Sequence, residues 1–155
     1  TMSDRIAVFE AGKIEQIASP QEIYDHPHTR FVAQFFGETN LYGGKVAEAG
    51  PGGSTVQLDN GRRLAVAGQP DFSAGAPVLV SIRPERVRLA HEPAGGNTVP
   101  LTVADIVYQG DHLRVTANGE GMEMIAKLGR RDAAVEVGSQ VHATFDPQDC
   151  TLIAP

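Results

Sequence analysis

The chain has 155 residues, of which 41% are hydrophobic, and its net charge is −6 from 13 basic and 19 acidic side chains. This size and hydrophobic content suit one globular domain, or a small domain with an appended segment. The negative net charge disfavours a general electrostatic grip on DNA or RNA, and a single cysteine excludes an internal disulfide framework. No apolar run approaches the roughly 20 residues of a membrane span and no signal-peptide pattern is present, so we expect a soluble chain.

The first residues predict a β-hairpin followed by a short helix. The segments RIAVFE and KIEQI flank Ala11-Gly12, and glycine readily adopts the positive φ of a tight turn. Ser19, Pro20 and Glu22 indicate a helix start: serine is a good N-cap, proline is well tolerated at the first helical position, and the glutamate completes a capping box. Pro27 is predicted to end this helix.

A second helix is predicted from about Thr29, with Gly37 as its C-cap. Its apolar stripe is formed by Phe31, Val32, Phe35 and Phe36. After Asn40 the sequence becomes rich in glycine and proline and its apolar period becomes short. We therefore predict a boundary near this residue, between an α+β segment (residues 1–40) and an all-β domain (residues 41–155).

The all-β domain is predicted from short apolar segments that are separated by turn signals. The predicted strands are GKVAEA, STVQLD, RRLAVA, PVLVSIRPERVRLA, VPLTVADIVY, HLRVTA, MEMIAKL, QVHATF and CTLIA. Asn60-Gly61, Gly110-Asp111 and Asn118-Gly119 are predicted hairpin turns, the first of them a two-residue loop, and residues 146–149 join the last two strands. Seven to ten short strands at this spacing indicate a small barrel or sandwich. No convincing sequence repeat is visible.

The sequence contains few residues or motifs that are typical of catalysis. It has no phosphate-binding GxxxxGK[ST] loop, no GxGxxG and no GxSxG nucleophile elbow. His26 and His28 are close in sequence, but two ligands do not make a structural zinc site, and we interpret them as solvated histidines at helix ends. Cys150 is interpreted as a buried, inert thiol, because a nucleophile would need a base nearby. Glu120 and Glu123 are interpreted as solvated surface. We predict no catalytic, cofactor-binding or metal site.

The more distinctive motif is Arg83-Pro84-Glu85. Proline holds the residue before it extended and cannot donate to a sheet ladder, which predicts a strand edge or a bulge here. On an extended chain Arg83 and Glu85 project to the same side, and the guanidinium of Arg83 can pair bidentately with a carboxylate. We interpret the motif as an interface or regulatory site; the alternative is a strand-ending proline flanked by surface charges, which are energetically minor.

Together these motifs resemble a known family. MSDRIAVFEAGKIEQIASPQEIYDHPHTRFVAQFFGETN resembles the segment after the switch histidine in ATPase subunits of bacterial ABC importers. VLVSIRPERVRL, VADIVYQGDHLRVTANG and GSQVHATFDPQDCTLI resemble successive parts of their C-terminal regulatory domain. The family includes importers of polyamines, ferric iron, sulfate, maltose and phosphonates, and FFGETN favours the polyamine branch.

The resemblance implies a C-terminal fragment of a longer ATPase, whose nucleotide-binding residues are expected upstream of Thr1. Residues 1–40 resemble the end of the nucleotide-binding domain, and residues 41–155 resemble an OB-like regulatory β domain, often called TOBE. The implied partners are a second ATPase subunit, membrane permease subunits and an effector molecule, with ATP and Mg bound by the parent protein and none by this segment. The implied location is the cytoplasmic face of the membrane.

Three classes of function compete. The resemblance favours a non-catalytic regulatory and dimerisation domain in polyamine or related uptake. The alternative is a small-ligand or oxyanion sensor, although no anion cradle can be located from the sequence. A nucleic-acid-binding OB domain is disfavoured, because such sites need aromatic platforms in a basic groove. Here the aromatic residues are isolated and the charge is negative.

Overall fold

The computed structural model describes residues 4–68, 71–132 and 135–155. The helices are α1 (Pro20–Asp25) and α2 (Arg30–Phe35), with 3-10 turns at Pro84–Arg86, Arg130–Asp132 and Pro147–Asp149. The strands are β1 (Ile6–Glu10), β2 (Lys13–Ala18), β3 (Asn40–Gly50), β4 (Gly53–Leu58), β5 (Arg63–Ala67), β6 (Pro77–Ile82), β7 (Arg88–Ala90), β8 (Asn97–Gln109), β9 (His112–Gly119), β10 (Met122–Gly129), β11 (Gln140–Phe145) and β12 (Cys150–Ile153). None of the helices in these ranges is long and apolar enough to cross a membrane.

The local signals at the start of the chain form the predicted elements. Strands β1 and β2 pair around Ala11-Gly12, where both residues have positive φ, at 51° and 78°. Ser19 Oγ accepts a hydrogen bond from Glu22 N at 3.2 Å at the start of α1. Thr29 Oγ1 accepts one from Val32 N at 3.2 Å at the start of α2. The predicted hairpin, the N-cap at Ser19 and the start of the second helix at about Thr29 are therefore confirmed.

The remaining strands form two five-stranded antiparallel sheets. The first sheet has the order β12-β6-β3-β4-β5 and the second has the order β10-β9-β8-β11-β7. Alternate residues of both sheets face one shared core, in which Phe145, Leu64, Ile82 and Met124 are among the largest fully buried side chains. Both sheets curl around this core, so the predicted mainly β, OB-like class is confirmed.

The two sheets arise from an internal repeat that is not visible in the sequence. Residues 40–90 and 97–153 each form a long strand, two hairpin strands, a fourth strand, a 3-10 turn and a short last strand. That last strand pairs in the other half's sheet: β7 pairs with β11, and β12 pairs with β6. Both long strands carry an irregularity at the same place, between Val46 and Glu48 and between Val103 and Asp105.

Two equivalent asparagines join the sheets. Asn40 Nδ2 donates to Ile125 O at 2.9 Å, and its Oδ1 accepts from Ile125 N at 2.8 Å. Asn97 makes the matching pair with Ala65, with both bonds at 2.8 Å. Each buried amide thus bonds an edge strand as a neighbouring backbone would, which satisfies polar groups that are costly to leave unpaired.

Two predicted turns differ from the structure. Asn118-Gly119 lies within β9, and Glu120-Gly121 makes the turn, with φ of 53° and 76°. Gly119 is needed for another reason, because a Cβ there would lie 2.8 Å from Pro100 O on the neighbouring strand. At Asn60-Gly61 the loop has three residues, since Leu58 N donates to Arg62 O at 2.8 Å.

The predicted single strand over residues 77–90 is also wrong. It breaks into β6, a 3-10 turn at Pro84–Arg86 and β7, because the chain crosses here from one sheet to the other. Arg83 is extended as predicted, with φ −70° and ψ 138°. The turn leaves Arg83 buried and Glu85 exposed, but both side chains reach Tyr24.

A smaller hydrophobic cluster lies in the first 40 residues. Val8, Ala18, Ile23 and Val32 form it, separately from the core of the two sheets. Strand β3 begins at Asn40, at the predicted boundary. The assignment of two domains, 1–40 and 41–155, stays a prediction.

Candidate functional site

Arg83 lies where the helices of the first 40 residues meet the β sheets. Its side chain is only 5% exposed, and Pro84 beside it is also buried. The guanidinium contacts the face of the Tyr24 ring, with 4.1 Å from Cζ to the ring centroid. This is the distance range of a cation–π contact.

The guanidinium donates to backbone carbonyls, and a bidentate pair with a carboxylate is absent among its described hydrogen bonds. Nη2 and Nε both donate to Tyr24 O, at 3.0 and 3.2 Å. Nη1 donates to Ala33 O at 2.8 Å, to Glu38 O at 3.2 Å and to Gly37 O at 3.3 Å. The last turn of a helix leaves carbonyls without intrahelical partners. Arg83 therefore binds the C-terminal ends of α1 and α2 with one side chain.

Glu85 contacts the same helix from the surface. Tyr24 Oη donates a hydrogen bond to Glu85 Oε2. Burial, with a further contribution from that hydrogen bond, raises the pKa of Tyr24 to about 12, so the phenol stays protonated and remains a donor. The motif thus holds α1 at both the backbone and the side chain of one tyrosine.

Further contacts join the same two parts of the chain. Arg114 on β9 binds Glu38 through two hydrogen bonds, with 3.0 Å from Nε to Oε1, and this pairing lowers the pKa of Glu38. Thr151 Oγ1 donates to Asp25 O at 3.1 Å. Thr39 Oγ1 and Ser81 Oγ lie 2.7 Å apart. These contacts add to those of Arg83 in holding residues 20–39 against both sheets.

His26 and His28 lie beside a cleft of about 560 Å³ between the α1–α2 loop and the edges of β5 and β12. Both histidine side chains are exposed, and Gln16 holds their backbone by bonding His26 O at 3.2 Å and His28 N at 2.9 Å. No group of three metal-ligating side chains occurs in the described ranges.

The cysteine beside the cleft is not a reactive nucleophile. Cys150 lines the cleft but is only 5% exposed, and burial raises its thiol pKa to about 12. A thiol with this pKa stays protonated near neutral pH and is a poor nucleophile. Cys150 is therefore a buried, inert thiol, as the sequence predicts.

Glu120 is exposed, as expected, and it also has a partner. Its carboxylate forms a two-bond ion pair with Arg62, with 2.7 Å from Nη2 to Oε2, which lowers the pKa of Glu120. Arg62 Nη1 also donates to Thr98 O at 3.0 Å. The sequence offers no signal for this pair, because 58 residues separate the partners. Glu123 is exposed, as expected.

Comparison with known proteins gives a consistent picture. Residues 80–153 match the TOBE domain family. A spermidine/putrescine import ATP-binding protein of Rubrobacter xylanophilus is 33% identical over 158 residues, which cover 99% of this chain and 41% of the relative. Proteins of the same description from Pseudomonas aeruginosa (40% identical, 74% of this chain, 30% of the relative) and Ruegeria pomeroyi (42%, 71% and 29%) also match. The chain spans about two fifths of the first relative and less of the others.

The fold is also found among solved structures, of which we describe a single example. It is described as the cytoplasmic molybdate-binding protein ModG with molybdate bound, and it matches with a TM-score of 0.67. The match covers 75% of this chain and 96% of that chain, at 19% sequence identity. At this identity the likeness concerns the fold alone.

Proposed function

The chain contains a TOBE domain and corresponds to the C-terminal region of ABC importer ATP-binding subunits, and from this premise we propose that it is the non-catalytic regulatory and dimerisation region of such a subunit in polyamine uptake. The observation that carries the proposal is the 33% identity over 99% of this chain to a spermidine/putrescine import ATP-binding protein. Binding of ATP and Mg, contact with membrane permease subunits and a place on the cytoplasmic face of the membrane are proposed for the whole subunit.

Arg83, Pro84 and Glu85 are proposed as the contact between the nucleotide-binding part and the regulatory part. The hydrogen bonds from Arg83 to Tyr24, Ala33 and Glu38 support this role. Because these bonds use a rigid planar group and several acceptors at once, they define one orientation of the helices. A regulatory domain needs such a defined contact if its state is to influence the rest of the subunit.

Uptake of radiolabelled putrescine and spermidine tests the proposal. Deleting the gene that encodes this chain should abolish one of these uptake activities, and the same gene on a plasmid should restore it. Maltose and sulfate uptake serve as controls and should not change. Normal uptake of both polyamines in a strain without other polyamine importers would contradict the proposed solute class.

A small-ligand sensor is the second candidate. It is favoured by the shared fold with a molybdate-binding protein and by the cleft beside His26 and His28. The lining of that cleft includes the carboxylate of Asp71 and, among the described residues, no lysine or arginine. An oxyanion would therefore find no fixed cation there, which ranks this function second. Calorimetry with molybdate tests it directly, and binding in the micromolar range would reverse the ranking.

A further inference from the structure

Strand β8 has a free edge beyond its bulge. Its neighbour β11 pairs with residues 97–102 only. Among the described residues, Val103 is the last one bonded on that side, through Ser139 O at 2.9 Å and Gly138 N at 2.8 Å. From residue 105 to residue 109, β8 pairs with β9 and with no other strand in the described ranges. This edge can accept another strand.

The hairpin geometry identifies which backbone groups face the free edge. Gly110-Asp111 is a two-residue loop with φ of 73° at the glycine, so Gln109 and His112 form the closing pair. Such a pair is hydrogen-bonded, and hydrogen-bonded pairs alternate along an antiparallel ladder. Gln109 and Val107 therefore bond to β9, whereas the N–H and C=O groups of Ile106 and Tyr108 point outward.

Apolar side chains are exposed at the same place. Val107 is 39% exposed and Tyr108 is 73% exposed. Val137, next to the Gly138 that bonds Val103, is 64% exposed. The other large exposed hydrophobic residues of the described ranges all lie in the first 40 residues. An edge strand with exposed apolar side chains is a template for pairing with another chain.

The other half of the internal repeat provides a comparison within the molecule. The equivalent hairpin of β3 and β4 closes earlier, at Gly50 and Gly53, only two residues after Glu48. Val46 makes the same two bonds as Val103, to Ala76 O at 3.0 Å and Gly75 N at 2.7 Å. The second hairpin is therefore longer, and it places Val107 where the first half has Gly50.

We propose that the free edge of β8, residues 105–109, pairs antiparallel with the same edge of a second copy of this chain. The two-fold axis passes between the two Val107 residues. Each Ile106 then faces Tyr108 of the other copy, and their outward N–H and C=O groups form four backbone hydrogen bonds in total. This proposal rests on the proposed dimerisation and names the surface that performs it.

Side-chain chemistry selects this register. Pairing about Val107 places Val against Val, Ile106 against Tyr108, and Asp105 against the uncharged Gln109. Aliphatic and aromatic pairs of this kind stabilise neighbouring strands. A shift that centres the axis on Tyr108 places Asp105 opposite Asp111, and like charges directly opposite are destabilising. One-residue shifts are excluded, because they would place the core face of one copy beside the outer face of the other.

Five residues from each copy form a small contact. Stable interfaces usually bury about 1,600 Å² in total, so we expect a weak, concentration-dependent dimer of this chain alone. The edge fixes the register and orientation of the two copies.

Cysteine cross-linking tests the register. Opposite residues in a non-hydrogen-bonded pair have Cα atoms about 4.5 Å apart, which is within disulfide range. Val107→Cys should therefore form a disulfide-linked dimer under mild oxidation. The native Cys150 is buried and should not cross-link. Gln109→Cys is the matched control, because the two copies of residue 109 lie on opposite sides of the axis. It should not cross-link alone, but should cross-link when mixed with Asp105→Cys.

Sedimentation equilibrium tests the affinity. Val107→Lys places two like charges across the axis, and Tyr108→Pro removes an outward N–H while leaving the ladder with β9 intact; each should raise the dimer Kd at least about tenfold. Ala49→Lys, on the equivalent hairpin of the first half, should change it by less than about twofold.

The outcomes separate the two proposals. A wild-type chain that stays monomeric and gives no Val107→Cys cross-link at any concentration would overturn both the edge pairing and the self-association of this chain. A dimer that both Val107→Lys and Tyr108→Pro leave unchanged would overturn the edge pairing and leave dimerisation standing. Polyamine uptake is measured separately and is affected by neither result.

Discussion

Replacing Arg83 with alanine tests the contact between the helices and the sheets. The substitution removes the hydrogen bonds to four backbone carbonyls, those of Tyr24, Ala33, Gly37 and Glu38. A net contribution of about 1 kcal/mol for each carbonyl gives a loss of about 4 kcal/mol. For a chain of this length, that loss corresponds to a decrease in Tm of about 10 °C if unfolding is a single transition.

The location of the loss distinguishes a contact between domains from general destabilisation. Hydrogen exchange with mass spectrometry should show much faster exchange in peptides covering residues 19–39, because their packing against the sheets depends on Arg83. Peptides from β8, β9 and β11 should exchange as in the wild type. Arg83→Lys retains the charge but not the planar group, so an intermediate effect is expected.

Arg63→Ala is the matched control. This arginine is exposed, and its hydrogen bond to Gln57 is long at 3.4 Å. Exposed substitutions of this kind usually change stability by less than about 0.5 kcal/mol. The reasoning would be refuted if Arg83→Ala left the exchange of residues 19–39 within the range of this control.

Four further predictions follow from the sequence and the structure. The chain should neither bind nor hydrolyse ATP, because it lacks a phosphate-binding loop; calorimetry and a phosphate-release assay would detect either activity. A chain of residues 40–155 should remain folded by near-UV circular dichroism and NMR dispersion, and loss of both signals would disprove the predicted boundary. Thr144→Val should be neutral or stabilising by up to about 1 kcal/mol in urea unfolding, because the buried Thr144 Oγ1 has no hydrogen-bond partner among the described residues. Arg114 lowers the pKa of Glu38, so this pair should stabilise the fold fully above the ordinary glutamate pKa of about 4.3. The stabilisation should be lost as the pH falls through the lower pKa of Glu38 in the folded state. Glu38→Gln should remove this part of the acid sensitivity when melting is measured as a function of pH.

Local signals in the sequence were sufficient for most of the elements. The N-cap at Ser19, the helix start at Thr29 and the turn at Gly110-Asp111 depend only on neighbouring residues, and the structure has them where the sequence predicts them. The turn prediction at Asn118-Gly119 was wrong, because Gly119 is a glycine for another reason: β8 and β9 approach each other too closely there for a side chain. A requirement set by a distant strand leaves no local signal, and a turn signal alone cannot reveal it.

The site was only half predictable for the same reason. The sequence marked Arg83-Pro84-Glu85 as distinctive, because proline beside two charges interrupts an apolar strand. It gave no indication that the acceptors are backbone carbonyls of residues 24–38. Every residue has a backbone carbonyl, so the residue types do not indicate which carbonyls accept from Arg83. The Arg62–Glu120 pair and the two asparagine pairs likewise join residues that only the paired sheets bring together.

The internal repeat separates features of the fold from features of function. What both halves share, such as the asparagines at 40 and 97 and the bulges in β3 and β8, serves the construction of the sheets. A feature that is present in only one half is not required to form the two sheets. At the equivalent positions before the two 3-10 turns, one half has Arg83, which binds the helices, and the other has Asp146, which pairs with Arg88 at 3.1 Å. At the equivalent hairpins, one half ends at Gly50 and the other extends past Val107. These two departures from the repeat coincide with the two proposed contacts, one to the rest of the subunit and one to a second copy.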